Sequence, residues 1–309
     1  MLWIKTPKRL IVSLILGTIL SITPFLTRAS TPIVVSSKSD TEGSVLGQII
    51  VLVLKHNGLD VTQRLQLGGT GLLRQALLSD EIDIYPEYTG NGLYFLGNTS
   101  LSSSRKPNKI YQYVKKYDFK KNKLVWLQPA PANNTWGISI RNDLASKNHI
   151  KTLSDLAKYI NNGGPIKLAA SAEFVERSYA LPSFQKKYHF FLKPAQLVIL
   201  SGGNTAATLQ AASLGTSGVN TAMSYTTDGS LQALNLRLLK DNKQTQPIYQ
   251  PSPVIRQEVL TAHPNIQKQL NRVFKQLNTK ALQKLNCQVS VYGLNPQVAA
   301  QQFLEKIGY

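Results

Sequence analysis

The sequence predicts an α/β fold built as two similar halves. Short apolar runs alternate with amphipathic stretches from residue 32 to residue 239. Two loops repeat one arrangement, a strand, then serine, then an acidic helix start: VVSSKSDTEG at 34–43 and LAASAEFVER at 168–177. The lone cysteine, Cys287, excludes a disulfide framework, so the fold must stand on its cores; Cys287 itself reads as a buried apolar filler.

Residues 1–29 are set aside first. Lys5, Lys8 and Arg9 precede an apolar run of 13 residues, Leu10 to Ile22, and Thr27-Arg28-Ala29 is a loose small-x-small cleavage signal. That is the pattern of a secretory signal peptide, because the run falls short of the roughly 20 residues a spanning helix needs. The mature chain is expected to be exported. With no cysteine after the run, a lipid anchor is not expected.

Residues 32–36 form an apolar strand. A helix over 42–55 carries the stripe Val45, Leu46, Ile49, Ile50, Val53 and Leu54, and Asn57-Gly58 ends it. Residues 61–67 alternate like a strand, 71–78 make a short helix, and 82–85 a short strand. This β-α-β-α-β order implies a parallel sheet. DIYPEYTGNG at 83–92 holds two tyrosines, one proline and two glycines, and reads as a rigid loop rather than a helix. A second set begins with a strand over 137–141. Thr152 and Asp155 have capping-box spacing before a helix to 160, closed by Asn161-Asn162-Gly163-Gly164. Then come a strand (166–170), a helix (173–187), a strand (197–200), a helix (205–213), strands at 219–224 and 236–239, and a strand-like run at 254–256. Helices over 265–278, 280–287 and 296–306 end the chain. The two counterpart loops would lie at the carboxyl ends of parallel strands, where open α/β sheets bind ligands, so two lobes facing one cleft are expected.

The formal charge is +19; the leader holds four of the 35 basic residues and none of the 16 acidic ones, which leaves +15 on the rest. The basic residues are dispersed, with modest clusters at Lys115–Lys123 and Lys186–Lys187 and no nucleic-acid-binding signature. They read as a solvated surface. Enzyme chemistry finds no footing. His56, His149, His189 and His263 lack metal-ligand spacing, and there is no Gly-x-Ser-x-Gly elbow. Gly68-Gly69-Thr70-Gly71 lacks the ending of a phosphate loop and reads as a turn. Asp83 and Glu87 read as loop-orienting acceptors rather than a glycosidase pair.

The aromatics suggest a function. Tyr88, Trp136, Tyr225 and Tyr249 each occupy a strand end or a crossover between the halves. Rings converging on one cleft would hold a quaternary ammonium, which has no N–H to satisfy and sits well against the negative face of an aromatic ring. Each desolvated contact contributes roughly 0.5–2 kcal/mol, so four walls approach the ~8 kcal/mol of micromolar binding but need help. Lys38 and Arg177, one in each counterpart loop, are either surface cations or the pair that holds a ligand carboxylate.

These residues carry a resemblance. SKSDTEG (37–43), DIYPEYTGNG (83–92), PAPANNTWGI (129–138), AASAEFVER (169–177) and SYTTDG (224–229) resemble the osmoprotectant-binding proteins of bacterial ABC importers, most of all the OsmF (YehZ) type, over essentially the whole mature chain. The resemblance implies a type II periplasmic binding protein with two α/β lobes, a ligand cleft between them and two crossover segments. It implies that Tyr88, Trp136, Tyr225 and Tyr249 form an aromatic cage, that Lys38 and Arg177 hold a ligand carboxylate and that Asn91 is a polar contact. Trp136 replaces a common tyrosine and Asn91 a common threonine, as in the OsmF branch. The expected division is residues 31–134 with 247–309 in lobe 1 and 135–246 in lobe 2. The expected function is capture of a glycine betaine-like osmoprotectant in the periplasm for delivery to an inner-membrane permease. Carnitine, choline or an amino acid are the alternative ligands. No catalysis, cofactor, metal or nucleic acid is expected, and the protein is expected to be a monomer. A net positive charge slightly repels a cation such as choline and so mildly favours a betaine.

Overall fold

Strand β1 (Ile33–Lys38) is β-branched at its start and buried along nearly its whole length, as a central parallel strand must be. It pairs in parallel with β2 (Val61–Gly68) and β3 (Ile84–Tyr88), as the β-α-β-α-β pattern requires. Helix α1 (Thr41–His56) connects the first two strands. The Asp40 side chain caps it by accepting from the Gly43 N–H at 2.7 Å, and Gly58 follows at φ +75. Helix α2 (Thr70–Leu78) leads towards β3. In the computed structural model, residues 1–3, 31–97, 104, 106–200 and 204–309 are described. The signal peptide expected over 1–29 falls almost wholly outside them.

The stretch read as a rigid loop is instead a strand running into a helix. Residues up to Tyr88 belong to β3, and α3 (Thr89–Phe95) follows directly. Two features override the turn formers. Pro86 lies opposite Pro253 in an antiparallel pair, so neither is asked for a ladder bond that it cannot donate. A Cβ on Gly90 would lie 2.5 Å from the Tyr249 ring, and one on Gly92 2.5 Å from Val114. The glycines are there for close packing rather than for a turn.

Helix α4 (Pro107–Asn122) and strand β4 (Leu124–Trp126) were not anticipated, because the lysines of this segment mask its pattern. Its buried residues are Ile110, Tyr111, Val114 and Asp118, at helical spacing, and Pro107 sits at its start. Asp118 accepts a two-pronged ion pair from Arg74 (2.8 and 2.6 Å) and a bond from Trp126 Nε1 (2.7 Å), fixing α4 to α2 and β4.

The second set begins at β5 (Trp136–Arg141), with α5 (Asn142–Lys147) after it. Helix α6 (Leu153–Asn161) has the Thr152/Asp155 capping box expected of it. After β6 (Leu168–Ser171), the single helix expected over 173–187 is two, α7 (Ala172–Glu176) and α8 (Leu181–Tyr188). Pro182 breaks the run: it is tolerated in the first turn of α8 but not in a helix interior. Strand β7 (Leu197–Leu200), helix α9 (Thr205–Leu214) and strands β8 (Thr221–Tyr225) and β9 (Leu236–Leu238) complete it. The chain returns through β10 (Pro251–Arg256), α10 (Gln257–Ala262), α11 (Asn265–Phe274), α12 (Thr279–Ser290) and α13 (Pro296–Lys306). Cys287, on α12, is half-buried rather than buried, because it lies at the margin of the face that α12 packs inward.

Two five-stranded sheets result, in the orders β2-β1-β3-β10-β4 and β7-β6-β8-β5-β9. They share a plan. Three strands run parallel, and one strand from outside the consecutive run, β10 in one sheet and β5 in the other, is inserted antiparallel. Each sheet with its helices is one lobe. The chain leaves one sheet for the other between β4 and β5 and returns between β9 and β10. Among the described residues no helix is long and apolar enough to cross a membrane.

Candidate functional site

Both counterpart loops, the end of β3, the start of β5, the end of β8 and the returning crossover meet at one cavity of ≈ 40 Å³. On the measure that ~10–15 Å³ holds one water, it has room for about three. The structure brings Lys38, Tyr88, Asn91, Trp136, Tyr225 and Tyr249 to its wall. Arg177 lies outside that wall. It is exposed, and its guanidinium lies 3.8 Å from where a Cβ on Gly71 would sit.

The rings cluster around Trp136. Its ring is 6.4 Å from that of Tyr225 at 23° and 6.2 Å from that of Tyr249 at 43°. Phe174 meets it edge-on at 5.7 Å. Tyr179, which the sequence reading missed, stacks on it at 5.8 Å and 10°, and in turn stacks on Tyr94 of α3 at 3.6 Å and 15°. A continuous aromatic column therefore crosses from one lobe to the other. The Gly90 backbone touches the Tyr249 ring, which fixes that wall of the cavity.

Lys38 is not a free cation. Its Nζ donates to Glu87 Oε1 at 2.8 Å and to Thr70 Oγ1 at 3.1 Å, and lies 4.7 Å from the centre of the Tyr88 ring. Glu87 is wholly buried and also accepts from Tyr85 OH (3.0 Å), Asn91 Nδ2 (2.9 Å) and the Tyr88 N–H (2.7 Å). Asp40 and Glu173 also line the cavity; neither was singled out in the sequence as a ligand contact. Glu173 Oε2 approaches Gly69 at the start of α2, so the Gly-Gly-Thr turn is part of the wall.

Behind the rings lies a polar hub. Glu42 accepts from Tyr88 OH (2.8 Å), Asn134 Nδ2 (2.7 Å) and Asn286 Nδ2 (2.8 Å). Asn134 and Asn286 both also bond to Thr227, which ties α1, the first crossover, the segment after β8 and α12 together. Burial pushes the Glu42 carboxyl up, opposed by these hydrogen bonds. Burial likewise raises Asp40, opposed by the Gly43 N–H and Lys38. Asp228 accepts from the Tyr225 N–H (2.6 Å) and Thr205 Oγ1 (2.7 Å), and burial raises it to about 7, with Glu42 and Asp40 adding to the rise.

Such a wall can hold a small cation lacking N–H groups. It offers no nucleophile and base pair, and no group of His, Cys, Asp and Glu among the described residues could hold a metal. Asp83, set apart at the other end of β3, accepts from the Val34 N–H and Arg256.

Residues 31–306 match the model of the OpuAC family, described as the substrate-binding domain of the ABC-type glycine betaine transport system. The chain belongs to that family. It is 48% identical to the glycine betaine-binding protein YehZ of Escherichia coli over 91% of this chain and 92% of that one. The solved structure of apo YehZ covers 90% of this chain and 99% of its own, with a TM-score of 0.67. A glycine-betaine-binding protein of Pseudomonas aeruginosa is 31% identical over 88% of this chain and 86% of its own. A crystal structure titled glycine betaine/carnitine/choline ABC transporter has a TM-score of 0.70 at 25% identity, covering 89% of this chain and 98% of its own. OpuAC members are type II periplasmic binding proteins. The two-lobed α/β architecture with two crossovers is theirs, and the chain is a binding protein rather than an enzyme.

Proposed function

We propose that this protein captures a quaternary ammonium osmoprotectant of the glycine betaine type between its lobes and presents it to the permease of an ABC importer. One observation carries the reading: four aromatic rings remote in sequence, Tyr88, Trp136, Tyr225 and Tyr249, line one cavity. In this reading the methylated nitrogen sits among those rings, Asn91 supplies a polar contact, and Lys38 and Arg177 serve the ligand's anionic end. Arg177 reaches it by a change of rotamer at the mouth. Ligand bridges residues 31–134 and 247–309 on one side and 135–246 on the other, and favours the closed arrangement to the extent that it binds that arrangement better. Residues 1–29 direct export to the periplasm, where the chain acts as a monomer with no nucleic-acid partner.

A second reading, a choline-like cation, rests on the Asp40 and Glu173 carboxylates in the wall and on the neutralisation of Lys38 by Glu87. Calorimetry with glycine betaine, choline, proline betaine and carnitine separates these. Tyr88→Ala and Tyr249→Ala should each weaken binding of the best ligand by more than about tenfold, or ~1.4 kcal/mol, with the far-UV spectrum unchanged. Unchanged affinity in both variants rejects the cage.

A further inference from the structure

Between Glu87 and Asp143 the sequence contains one acidic residue, Asp118, and it is buried and bound to Arg74. Helix α4 runs through the middle of that interval. It carries Lys109, Lys115, Lys116 and Lys120 outward and Lys121 at its last turn, all exposed. The face is not merely charged. Tyr117 and Phe119, on opposite flanks of the exposed arc of the same helix, are 42% and 39% exposed. The Tyr113 and Tyr117 rings are 4.4 Å apart, and Lys116 Nζ lies 5.4 Å from the Tyr117 ring centre. Beside Phe119 a mainly apolar groove is lined by Gln112, Lys115, Lys116, Phe119 and Val125.

Lysines alone make a solvated face, and aromatics alone would make a contact for another protein. Lysines interleaved with half-exposed aromatic rings on one helix have the chemistry of a membrane interface. Rings sit at headgroup depth, and ammonium groups reach lipid phosphates on stems that lie along the apolar layer. An acidic protein partner would satisfy the charge but would leave the groove and the tyrosine pair without a role. We infer that α4 is a peripheral docking surface for a bilayer rich in anionic phospholipid, which would hold the protein near the membrane that contains its permease. The cavity residues play no part, so the inference does not depend on which ligand the cavity takes.

The test uses residues 32–309, which form one compact unit containing all four apolar cores and exclude the leader, whose own apolar run would bind lipid. Sedimentation with vesicles of phosphatidylcholine containing about 30% phosphatidylglycerol should show at least about tenfold tighter binding than with phosphatidylcholine alone, reduced by high salt. The quadruple variant K115E, K116E, K120E, K121E should lose that binding. A control with the same charge change on exposed lysines of α11, its C-cap and α12 (K268E, K275E, K280E, K284E) should keep most of it. Tyr117→Ser with Phe119→Ser should weaken it several-fold while leaving the net charge untouched. Equal loss in the two quadruple variants makes the effect one of net charge and overturns the proposal. So does equal binding to both vesicle types, or binding to a soluble polyanion such as heparin but to neither vesicle.

Discussion

Among the described residues lobe 1 contains two ion pairs buried to a similar degree that differ in geometry and in what surrounds the cation. Arg74 meets Asp118 with two parallel bonds, and Trp126 and Asn122 occupy the remaining acceptor positions. Neither residue lines the cavity between the rings. Lys38 meets Glu87 with one bond, as a point charge; its Nζ also donates to Thr70 and faces the Tyr88 ring at the wall of the cavity. The first arrangement fixes α4 in place; the second leaves a cation and its counter-charge poised at the wall of a binding site. A forked, saturated pair belongs to architecture. A single-bonded pair with one open face belongs to recognition.

That contrast can be broken by experiment, beginning with the largest effect. Asp118→Ala strands the Arg74 guanidinium in the core and should cost about 3–5 kcal/mol in urea unfolding, with ligand affinity of the folded fraction within about twofold of wild type. A large affinity change would erase the distinction.

Asp228 supplies a third case, a half-buried carboxylate held by two neutral donors, and loss of hydration raises it to about 7. Between the ordinary carboxyl value of 3.8 and about 7, the folded chain holds a proton that the unfolded chain has lost. Stability must therefore fall as pH rises through that window and level off above it. Asp228→Asn keeps an acceptor without the charge and should remove up to about 4 kcal/mol of that fall, read from melting curves across the window. A variant with the wild-type slope would refute the assignment.

Glu87→Gln should release Lys38 as a full positive charge beside the Tyr88 ring, where it competes with a bound cation. Affinity for a quaternary ammonium should drop about tenfold, ~1.4 kcal/mol, by calorimetry. The smallest effect is expected at the Tyr94–Tyr179 stack, which joins the lobes without lining the cavity. Tyr179→Ala should weaken binding about three- to tenfold by removing ~0.5–1.5 kcal/mol from the closed arrangement.

Much of the architecture was legible because periodicity and caps report locally. The Thr152/Asp155 capping box and the run of strands and helices from β1 to β3 are examples. The errors share a cause. Helix α4 hid because its inward residues are outnumbered by lysines, and α3 hid because its glycines answer to Tyr249 and Val114, residues far along the chain. The cavity rings could be named in advance since each sits at a strand end or crossover, a place with few structural reasons for an aromatic. Tyr94 and Tyr179 could not, since neither means anything until the lobes meet. The bond from Lys38 to Glu87 was equally invisible: Glu87 looked like a loop acceptor, and only the pairing of β3 with β1 shows that it faces the lysine.

The column of rings has an optical consequence. Trp136 faces Tyr249 of the other half with ring centres 6.2 Å apart, while Trp126 is sealed in the lobe 1 core against Asp118. In the chain without its leader, which holds the third tryptophan, Trp3, any hinge motion that parts the halves exposes one indole to solvent and leaves the other in an unchanged environment. The molecule therefore carries its own gauge of opening, with an internal reference, in its native tryptophan emission.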